Sequence, residues 1–380
     1  MYARPLICLT GILISLCAIA PSQAASWRYR IIASEEAGSP GNYTWFNVPA
    51  INDKGEVAFS GEALANGNLI GGAWLSRSAK APKLLYSFNS IGWPPGPPSI
   101  NKSGWVTFGE PLQNAQGYAV TIIVRVTSAG VTVYPTAYNG GVNSAITDAG
   151  NVLVQTGCSL LLLSGATSTV VNSGTCDDNS DIASNGVGEV VYSNRLPSNI
   201  YVTNSATATT KLWVKDFGSK GSVGQPSIND LGTVAFLGTQ VASQTGSNIS
   251  ALYTKSSAGK VRLVNFVNNG TCSDAGPPGG VGSCTNVSYI GTSMNASGAV
   301  VVSTDTENWV GTTVSSTFGV VLNGDLENGT VFANGTVVDG CTIKGAGIGE
   351  QAINASGQIA ALIGCSADNT GRIVVATPSP

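Results

Sequence analysis

Short apolar stretches recur along the chain, and all but one of them follow a turn of the pattern Asn-x-x-Gly, with Thr147 in place of Asn in the exception. In Asn52-Asp53-Lys54-Gly55, for example, the stretch Val57-Ala58-Phe59 begins two residues after the glycine. In a hairpin turn, Asn accepts hydrogen bonds from nearby backbone N–H groups and Gly adopts the left-handed conformation. The β-branched and aromatic residues that follow favour an extended strand. The pattern therefore predicts β-hairpins, each of which begins a returning strand.

Seven segments with this pattern align without gaps. They are AINDKGEV (50–57), SINKSGWV (99–106), AITDAGNV (145–152), ASNGVGEV (183–190), SINDLGTV (227–234), SMNASGAV (293–300) and AINASGQI (352–359). The small first residue, Ala or Ser in every copy, predicts a crowded place where strands of different units come close. We interpret the motif as a structural hairpin, because seven copies around a scaffold do not make one catalytic site.

Two further apolar strands follow the hairpins. We expect them at Gly72–Arg77 and Lys83–Phe88 in the first unit, and at Ala251–Lys255 and Val261–Val267 in the fifth. Four antiparallel strands per unit make a propeller blade. The motif glycines are 49, 46, 38, 44, 66 and 59 residues apart, near the roughly 40–50-residue period of blade repeats, with two insertions. The sequence predicts an all-β fold, a seven-bladed β-propeller of four-stranded antiparallel blades.

The two ends of the chain predict how the ring closes. The strand Trp27–Ala33 has no unit of its own, and the seventh unit supplies Gln358–Ile363 and Arg372–Ala376 but no fourth strand. Pairing the N-terminal strand with the C-terminal blade completes that blade and removes open sheet edges. The expected blades are roughly 43–90, 97–138, 143–175, 181–218, 225–268, 291–340, and 350–378 plus 27–33.

Residues 1–24 are predicted to be a signal peptide. Arg4 precedes the apolar stretch Leu6–Ala20. Cleavage after Ala24 would place the small residues Ser22 and Ala24 where signal peptidase requires small side chains. This leaves one propeller domain over 25–380, secreted or periplasmic, with no predicted membrane span. The even number of remaining cysteines predicts disulfides. Pairing neighbours in the sequence gives the hypothesis Cys158–Cys176, Cys272–Cys284 and Cys341–Cys365. We expect the last bridge to tie the sixth blade to the seventh.

Two repeats, Asn52–Phe59 and Asn229–Phe236, carry a resemblance to a known group of proteins. They resemble the tandem Asn-x-x-Gly-x-x-Ala-Phe repeats of exported bacterial proteins, which often end in a cell-surface sorting anchor. The resemblance spans most of the mature chain, although only these two copies match fully. It implies export and a repeat fold, and it brings no catalytic residues. No sorting motif precedes Pro380, so we do not expect surface anchoring.

Composition narrows the possible chemistry. The net charge is −3 without any run of Lys or Arg, so no nucleic-acid partner is expected. The chain has no histidine, which excludes Ser-His-Asp and Cys-His catalysis. Carboxylate chemistry remains possible, so the alternative to a binding protein is a glycoside hydrolase or polysaccharide lyase. Asp177, Asn179 and Asp181 have the spacing of a calcium loop, but its glycine and closing glutamate are missing. We expect no metal and no cofactor.

Position in the repeat also predicts a candidate site. If the hairpins lie on one face of the ring, the segments leading into the innermost strands lie at the other mouth of the channel. Four residues before the third motif position stand Val48, Pro97, Asn143, Asp181, Gln225, Gly291 and Glu350.

The polar members of this set, with the aromatic residues of the same segments, are our candidate ligand residues: Trp45, Trp93, Asn143, Asp181, Gln225, Tyr289 and Glu350. Polar groups beside aromatic faces are typical of carbohydrate or peptide sites, although an ordinary polar rim has the same composition. We therefore expect a binding or scaffold module for a polysaccharide or a protein. Asp181→Ala or Glu350→Ala should abolish ligand binding without lowering the melting temperature.

Overall fold

The computed structural model describes residues 26–39, 41–77, 81–89, 93, 95–139, 143–156, 159–164, 167–173, 182–195, 198–215, 221–241, 248–268 and 282–379. The predicted signal peptide lies outside these residues and remains a prediction. No helix in the described part of the chain has the length and apolar character needed to cross a membrane.

Seven antiparallel sheets, the blades of a propeller, contain the described strands. The first strand is β1 (Trp27–Ser34), and the first blade holds β2 (Tyr43–Phe46), β3 (Ala50–Ile51), β4 (Val57–Ala65), β5 (Asn68–Ser76) and β6 (Lys83–Asn89). The second holds β7 (Ser99–Ile100), β8 (Val106–Gln113), β9 (Ala119–Thr127) and β10 (Gly130–Asn139). The third holds β11 (Asn143–Ile146), β12 (Val152–Thr156), β13 (Ser159–Ser164) and β14 (Thr167–Ser173).

The remaining blades repeat this order. The fourth holds β15 (Ile182–Ser184), β16 (Glu189–Arg195), β17 (Ser198–Asn204) and β18 (Thr209–Val214). The fifth holds β19 (Gly221–Ile228), β20 (Val234–Val241), β21 (Asn248–Lys255) and β22 (Arg262–Asn268). The sixth holds β23 (Ser283–Met294), β24 (Val300–Val310), β25 (Thr313–Leu322) and β26 (Thr330–Phe332). The seventh holds β27 (Val337–Val338), β28 (Cys341–Gly347), β29 (Ile359–Cys365) and β30 (Gly371–Pro378), together with β1.

The ring closes as the sequence predicts. Strand β1 pairs antiparallel with β30, from Trp27 opposite Pro378 to Ser34 opposite Arg372, and so becomes the outer strand of the seventh sheet. The indole Nε1 of Trp27 also donates a hydrogen bond to the carbonyl oxygen of Thr330 in the sixth blade, at 3.1 Å. The N-terminal strand therefore holds the last blade together and attaches it to its neighbour.

The boundary between the sixth and seventh blades differs from the sequence prediction. Residues 337–347 pair within the seventh sheet, because Ala346 lies opposite Ile363 of β29 and Val338 lies opposite Cys341. The sixth sheet therefore ends at Phe332 rather than near residue 340. Its innermost strand begins at Ser283, earlier than the predicted residue 291.

In five of the repeats, the Asn side chain links its hairpin to the next blade. In Asn52 the side-chain Oδ1 accepts hydrogen bonds from the N–H groups of Lys54 and Glu56, and Nδ2 donates to the carbonyl oxygen of Asn101 at 3.0 Å. Equivalent bonds between blades are Asn101 to Thr147, Asn185 to Asn229, Asn295 to Asn354, and Asn354 to Asn52. These bonds support the interpretation of the motif as structural.

The small first motif residue also has a structural reason. Ser99 Oγ accepts a hydrogen bond from the N–H of Ile146 in the next blade at 3.1 Å. Ser293 Oγ accepts one from the N–H of Ala352 at 2.8 Å. Both serines are buried, so a larger side chain would separate the innermost strands.

One predicted disulfide is confirmed, with a different role. Cys341 and Cys365 are bonded, with their Cα atoms 5.3 Å apart. The bridge joins β28 to β29 inside the seventh sheet and does not tie the sixth blade to the seventh, because Cys341 already belongs to that sheet. Cys284 is also disulfide-bonded. Its predicted partner Cys272, and the pair Cys158 and Cys176, lie outside the described residues.

Candidate functional site at one mouth of the ring

The sequence positions predicted to surround one mouth lie together in the structure. A cavity of about 150 Å³ is lined by residues that include Val48, Pro97, Asn143, Gln225, Gly291 and Glu350. We call this opening the Gln225 mouth. The seventh predicted position, Asp181, lies outside the described residues, as do Asp177 and Asn179 of the weak calcium candidate. In the part of the chain that is described, no group of three or more His, Cys, Asp or Glu residues could hold a metal ion.

The three aromatic candidates occupy different places. Tyr289 is buried between the fifth and sixth blades, where its hydroxyl donates to the carbonyl oxygen of Gly324 at 2.7 Å. Burial raises the pKa of this hydroxyl to about 12. Trp93 is 36% exposed and is not among the described residues that line the cavity. Trp45 lines a separate groove beside the mouth. Tyr289 is therefore a core residue, and of the three only Trp45 lies in a neighbouring cavity.

The backbone at Gln225 is strained. Its φ is +47°, a conformation that costs a residue with a side chain about 1–2 kcal/mol. The other described non-glycine residues with positive φ are Asn or Asp, which tolerate it, and Ala208 in a turn. Gln225 instead lies within β19, at an irregularity in its pairing with β20. The hydroxyl of Thr292 donates to the Gln225 carbonyl oxygen at 2.5 Å and holds this conformation.

The side chain of Gln225 carries an acceptor that the described residues leave unused. Its amide oxygen Oε1 is buried, and no described residue donates a hydrogen bond to it. A Cβ atom placed on Gly291 would lie 3.2 Å from this oxygen, so the glycine leaves the space beside it free. A buried acceptor without a partner costs about 1–3 kcal/mol. Because Oε1 has almost no accessible surface, an O–H or N–H group that entered the mouth would recover this free energy only after the Gln225 side chain rotates toward the opening.

Glu350 has a structural bond in addition to its place at the mouth. Its Oε1 accepts a hydrogen bond from the N–H of Ile182 in the fourth blade at 3.1 Å. The next residue, Gln351, accepts bonds through its own Oε1 from Ser99 Oγ at 2.9 Å and from the N–H of Ile100 at 2.8 Å. These bonds cross from the seventh blade to the fourth and second. We therefore expect Glu350→Ala to lower stability, so it cannot separate binding from folding.

Sequence reasoning did not identify the groove beside the mouth. Its walls include Phe318 of the sixth blade and Trp45 of the first, and part of its floor is Gly345 of β28. Phe318 lies in the long sixth unit, well after the repeat motif that ends at Val300, so no motif marks the position of its strand. The sequence does show Gly364 and Gly371 in the last two apolar strands, but only the strand register shows that these glycines lie side by side.

A buried acid lies away from the mouth. Glu110 of β8 is 5% exposed, and its Oε2 accepts a hydrogen bond from the Tyr86 hydroxyl at 2.9 Å. Burial raises the pKa of Glu110, although the hydrogen bond from Tyr86 lowers it. Burial, together with the bond to Glu110 and the charge of that residue, raises the pKa of Tyr86 to about 12. This pair packs between the first and second blades and is a structural feature.

Comparison with known proteins identifies no family. No protein-family description and no curated protein matches the chain. Solved structures similar to it include U3-55K, with 11% sequence identity, a TM-score of 0.48 and coverage of 92% of this chain and 98% of that one. The RRP9 WD40 repeats have 10% identity, a TM-score of 0.48 and coverage of 92% and 97%. YCF48 from Cyanidioschyzon merolae has 7% identity, a TM-score of 0.41 and coverage of 92% and 98%. The sheet order and the closure by β1 make the chain a seven-bladed β-propeller.

Proposed function

We propose that this protein is a secreted or periplasmic binding module whose ligand enters the Gln225 mouth. The observation that carries the proposal is the unpaired Oε1 of Gln225, held in the mouth by a strained backbone. Strain of this kind persists where the surrounding structure enforces it and is common at ligand sites. Propellers commonly serve as binding or scaffold modules, and the ligand of each one depends on the residues of its site.

The size and lining of the mouth favour binding of one part of a larger ligand rather than of a whole small molecule. Its volume of about 150 Å³ is below the roughly 300–1,000 Å³ typical of sites that enclose a drug-sized molecule. Asn143, Gln225 and Glu350 provide oxygen acceptors, and apolar Val48 and Ile290 lie beside them. A sugar unit, with hydroxyl donors and apolar ring faces, fits this combination. We therefore favour a polysaccharide over a protein ligand.

The test is a binding screen with a matched pair of substitutions. Soluble polysaccharides and a random peptide library are screened against the protein, and affinities for the hits are measured by calorimetry. Gln225→Leu removes the acceptor, and we expect at least a tenfold loss of affinity, equivalent to about 1.4 kcal/mol. Gln113→Leu in the β8–β9 hairpin is the control, since that side chain bonds only within its own turn. Equal affinities of the two variants would refute the assignment of Gln225, and a peptide ligand would replace the polysaccharide.

The hydrolase alternative is favoured by a different pair of residues. Asp305 and Glu307 are two residues apart in β24 and therefore lie on one face of it, and glycosidases use a pair of neighbouring carboxyl groups. Glu307 Oε2 accepts hydrogen bonds from Asn286 Nδ2 at 3.2 Å and Trp309 Nε1 at 3.3 Å. Burial and the nearby charge of Glu307 raise the pKa of Asp305, as a general acid requires.

A turnover assay tests this alternative directly. Release of reducing ends from any bound polysaccharide, lost in Asp305→Asn and Glu307→Gln, would establish hydrolysis. Binding without turnover in the unsubstituted protein would exclude this pair as catalytic residues.

A further inference from the structure

A groove lies directly beside the Gln225 mouth. Its volume is about 520 Å³, and Trp45 of the first blade and Phe318 of the sixth contribute to its lining. Ile290 lines both the groove and the mouth and is 38% exposed. A ligand that is longer than the mouth can therefore pass over Ile290 into the groove without leaving the protein surface.

Three glycines stand in a row across the seventh sheet within this groove. Gly345 of β28 lies opposite Gly364 of β29, which lies opposite Gly371 of β30. Directly opposite residues of antiparallel strands share one face of the sheet, and all three line the groove. A glycine inside a strand weakens it and often marks the close approach of a ligand or another backbone.

The protein's own packing does not explain all of these glycines. At Gly371 a Cβ would lie 2.9 Å from the Glu35 carboxylate, and at Gly364 it would lie 3.1 Å from the Lys344 side chain. At Gly345, however, the nearest atom would be 3.7 Å away, in Phe318. Gly345 does not have a positive φ, and the shift in strand register before it does not require one. Alanine would fit the fold at this position, so the glycine serves to keep the groove floor low.

The charged groups of the groove already have partners. The Oε2 atom of Glu35 accepts a hydrogen bond from the N–H of Gly371 at 2.6 Å, and burial raises the pKa of this carboxyl. The ammonium group of Lys344 donates to Asn369 Oδ1. A ligand in the groove would therefore meet the aromatic surfaces of Trp45 and Phe318 and the exposed backbone of the glycines. Phe318 is 41% exposed. This surface suits an uncharged ligand with flat apolar faces.

We propose that the groove binds successive rings of a neutral polysaccharide, stacked on Trp45 and Phe318, while one end of the chain occupies the Gln225 mouth. The inference rests on the proposed function, because it assigns one ligand to both cavities. It adds the chemical class of that ligand and a second set of binding residues. The groove is on the order of three times the volume of the mouth, so most contacts with a long chain would form there.

The experiment measures how affinity depends on ligand length. Soluble β-glucan, α-glucan, galactomannan and xylan are tested first, and oligosaccharides of two to eight units of the bound polymer are then titrated. For the unsubstituted protein we expect affinity to rise with length until the mouth and groove are both filled. Phe318→Ala and Gly345→Ala should each lower affinity for the longest oligosaccharide at least tenfold and leave that for the disaccharide unchanged. Phe266→Ala is the matched control, because Phe266 is 53% exposed on the outer strand of the fifth blade.

The possible outcomes separate the two proposals. If Phe318→Ala and Gly345→Ala bind long oligosaccharides as the control does, while Gln225→Leu does not, the groove assignment is wrong and the mouth remains. If none of the four polysaccharides binds, the polysaccharide class is overturned for both cavities. A lower melting temperature in Gly345→Ala would show that the fold needs this glycine, and Phe318→Ala alone then decides whether the groove binds the chain.

Discussion

Replacing Gln225 with glycine is expected to stabilise the propeller and weaken ligand binding at the same time. Glycine adopts the φ of +47° without the strain of about 1–2 kcal/mol that a side chain brings. It loses about 0.5–1 kcal/mol through the greater freedom of the unfolded chain. Removal of the unpaired buried Oε1 returns about 1–3 kcal/mol. The free energy of unfolding should therefore rise by about 3 kcal/mol, the balance of these three contributions.

Two further variants separate these contributions. Ala208→Gly relieves a positive φ of 53° in the β17–β18 turn, so we expect a gain of about 0.5–1 kcal/mol from strain and entropy alone and unchanged binding. Gln225→Ala keeps the strain and removes only the amide group. Guanidinium unfolding is the suitable assay, because in a chain of this length about 3 kcal/mol moves the melting temperature by only about 4 °C. Binding is measured by calorimetry on the same samples.

The reasoning fails under either of two results. Gln225→Gly could be less stable than the unsubstituted protein, which would show that the side chain contributes packing that outweighs the strain and the unpaired oxygen. Alternatively, it could bind the ligand with unchanged affinity, and the strained backbone would then have no connection to a site.

Three other substitutions test the structural analysis. Asn354→Ala removes four bonds within the turn and one to the first blade and should lower the free energy of unfolding by about 2–4 kcal/mol. Asn114→Ala, which removes only the bonds within its turn, should lower it by less than about 1 kcal/mol. Loss of the Cys341–Cys365 bridge through serine substitution should lower it by about 3 kcal/mol, measured by guanidinium unfolding with and without reductant. Glu110→Gln should be more stable than the unsubstituted protein at pH 7, because burial raises the pKa of Glu110 above 4.5; the protonated carboxyl stabilises the fold at low pH, and that contribution is lost as pH rises through and above 4.5. Parallel loss of stability between pH 4 and 7 in both proteins would contradict this.

The repeat and the position of the mouth could be predicted from the sequence, because both depend on the local pattern of turn residues and its spacing. A turn of Asn-x-x-Gly fixes where a hairpin closes, and the apolar residues that follow it form a strand whose first residues are buried on both faces. The same spacing in every unit then places equivalent residues, such as Asn143 and Gln225, at equivalent points around the ring. The closing strand Trp27–Ser34 was predictable for a related reason. The seventh unit lacked a fourth strand, and the N-terminal strand belonged to no unit, so the two were expected to pair.

Features that depend on contacts between distant segments could not be predicted from the sequence. The long sixth unit carries no motif near its last strands, so only hydrogen bonding shows that Cys341 belongs to the seventh sheet. Tyr289 lies two residues before the mouth residue Gly291, yet its side chain points into the core between blades. The pairing of β23 with β24 is irregular between these two residues, so the usual rule that residues two apart share a face does not hold there.

What the sequence by itself determined is the length of the repeat, the closed ring and six of the residues that line one mouth, since each follows from local turn chemistry repeated at a regular interval. The tertiary structure alone decided the left-handed backbone of Gln225 and the row of Gly345, Gly364 and Gly371. Both arise from the register of strands that are far apart in the chain, and register is set by packing across the whole sheet rather than by the residues of any one strand.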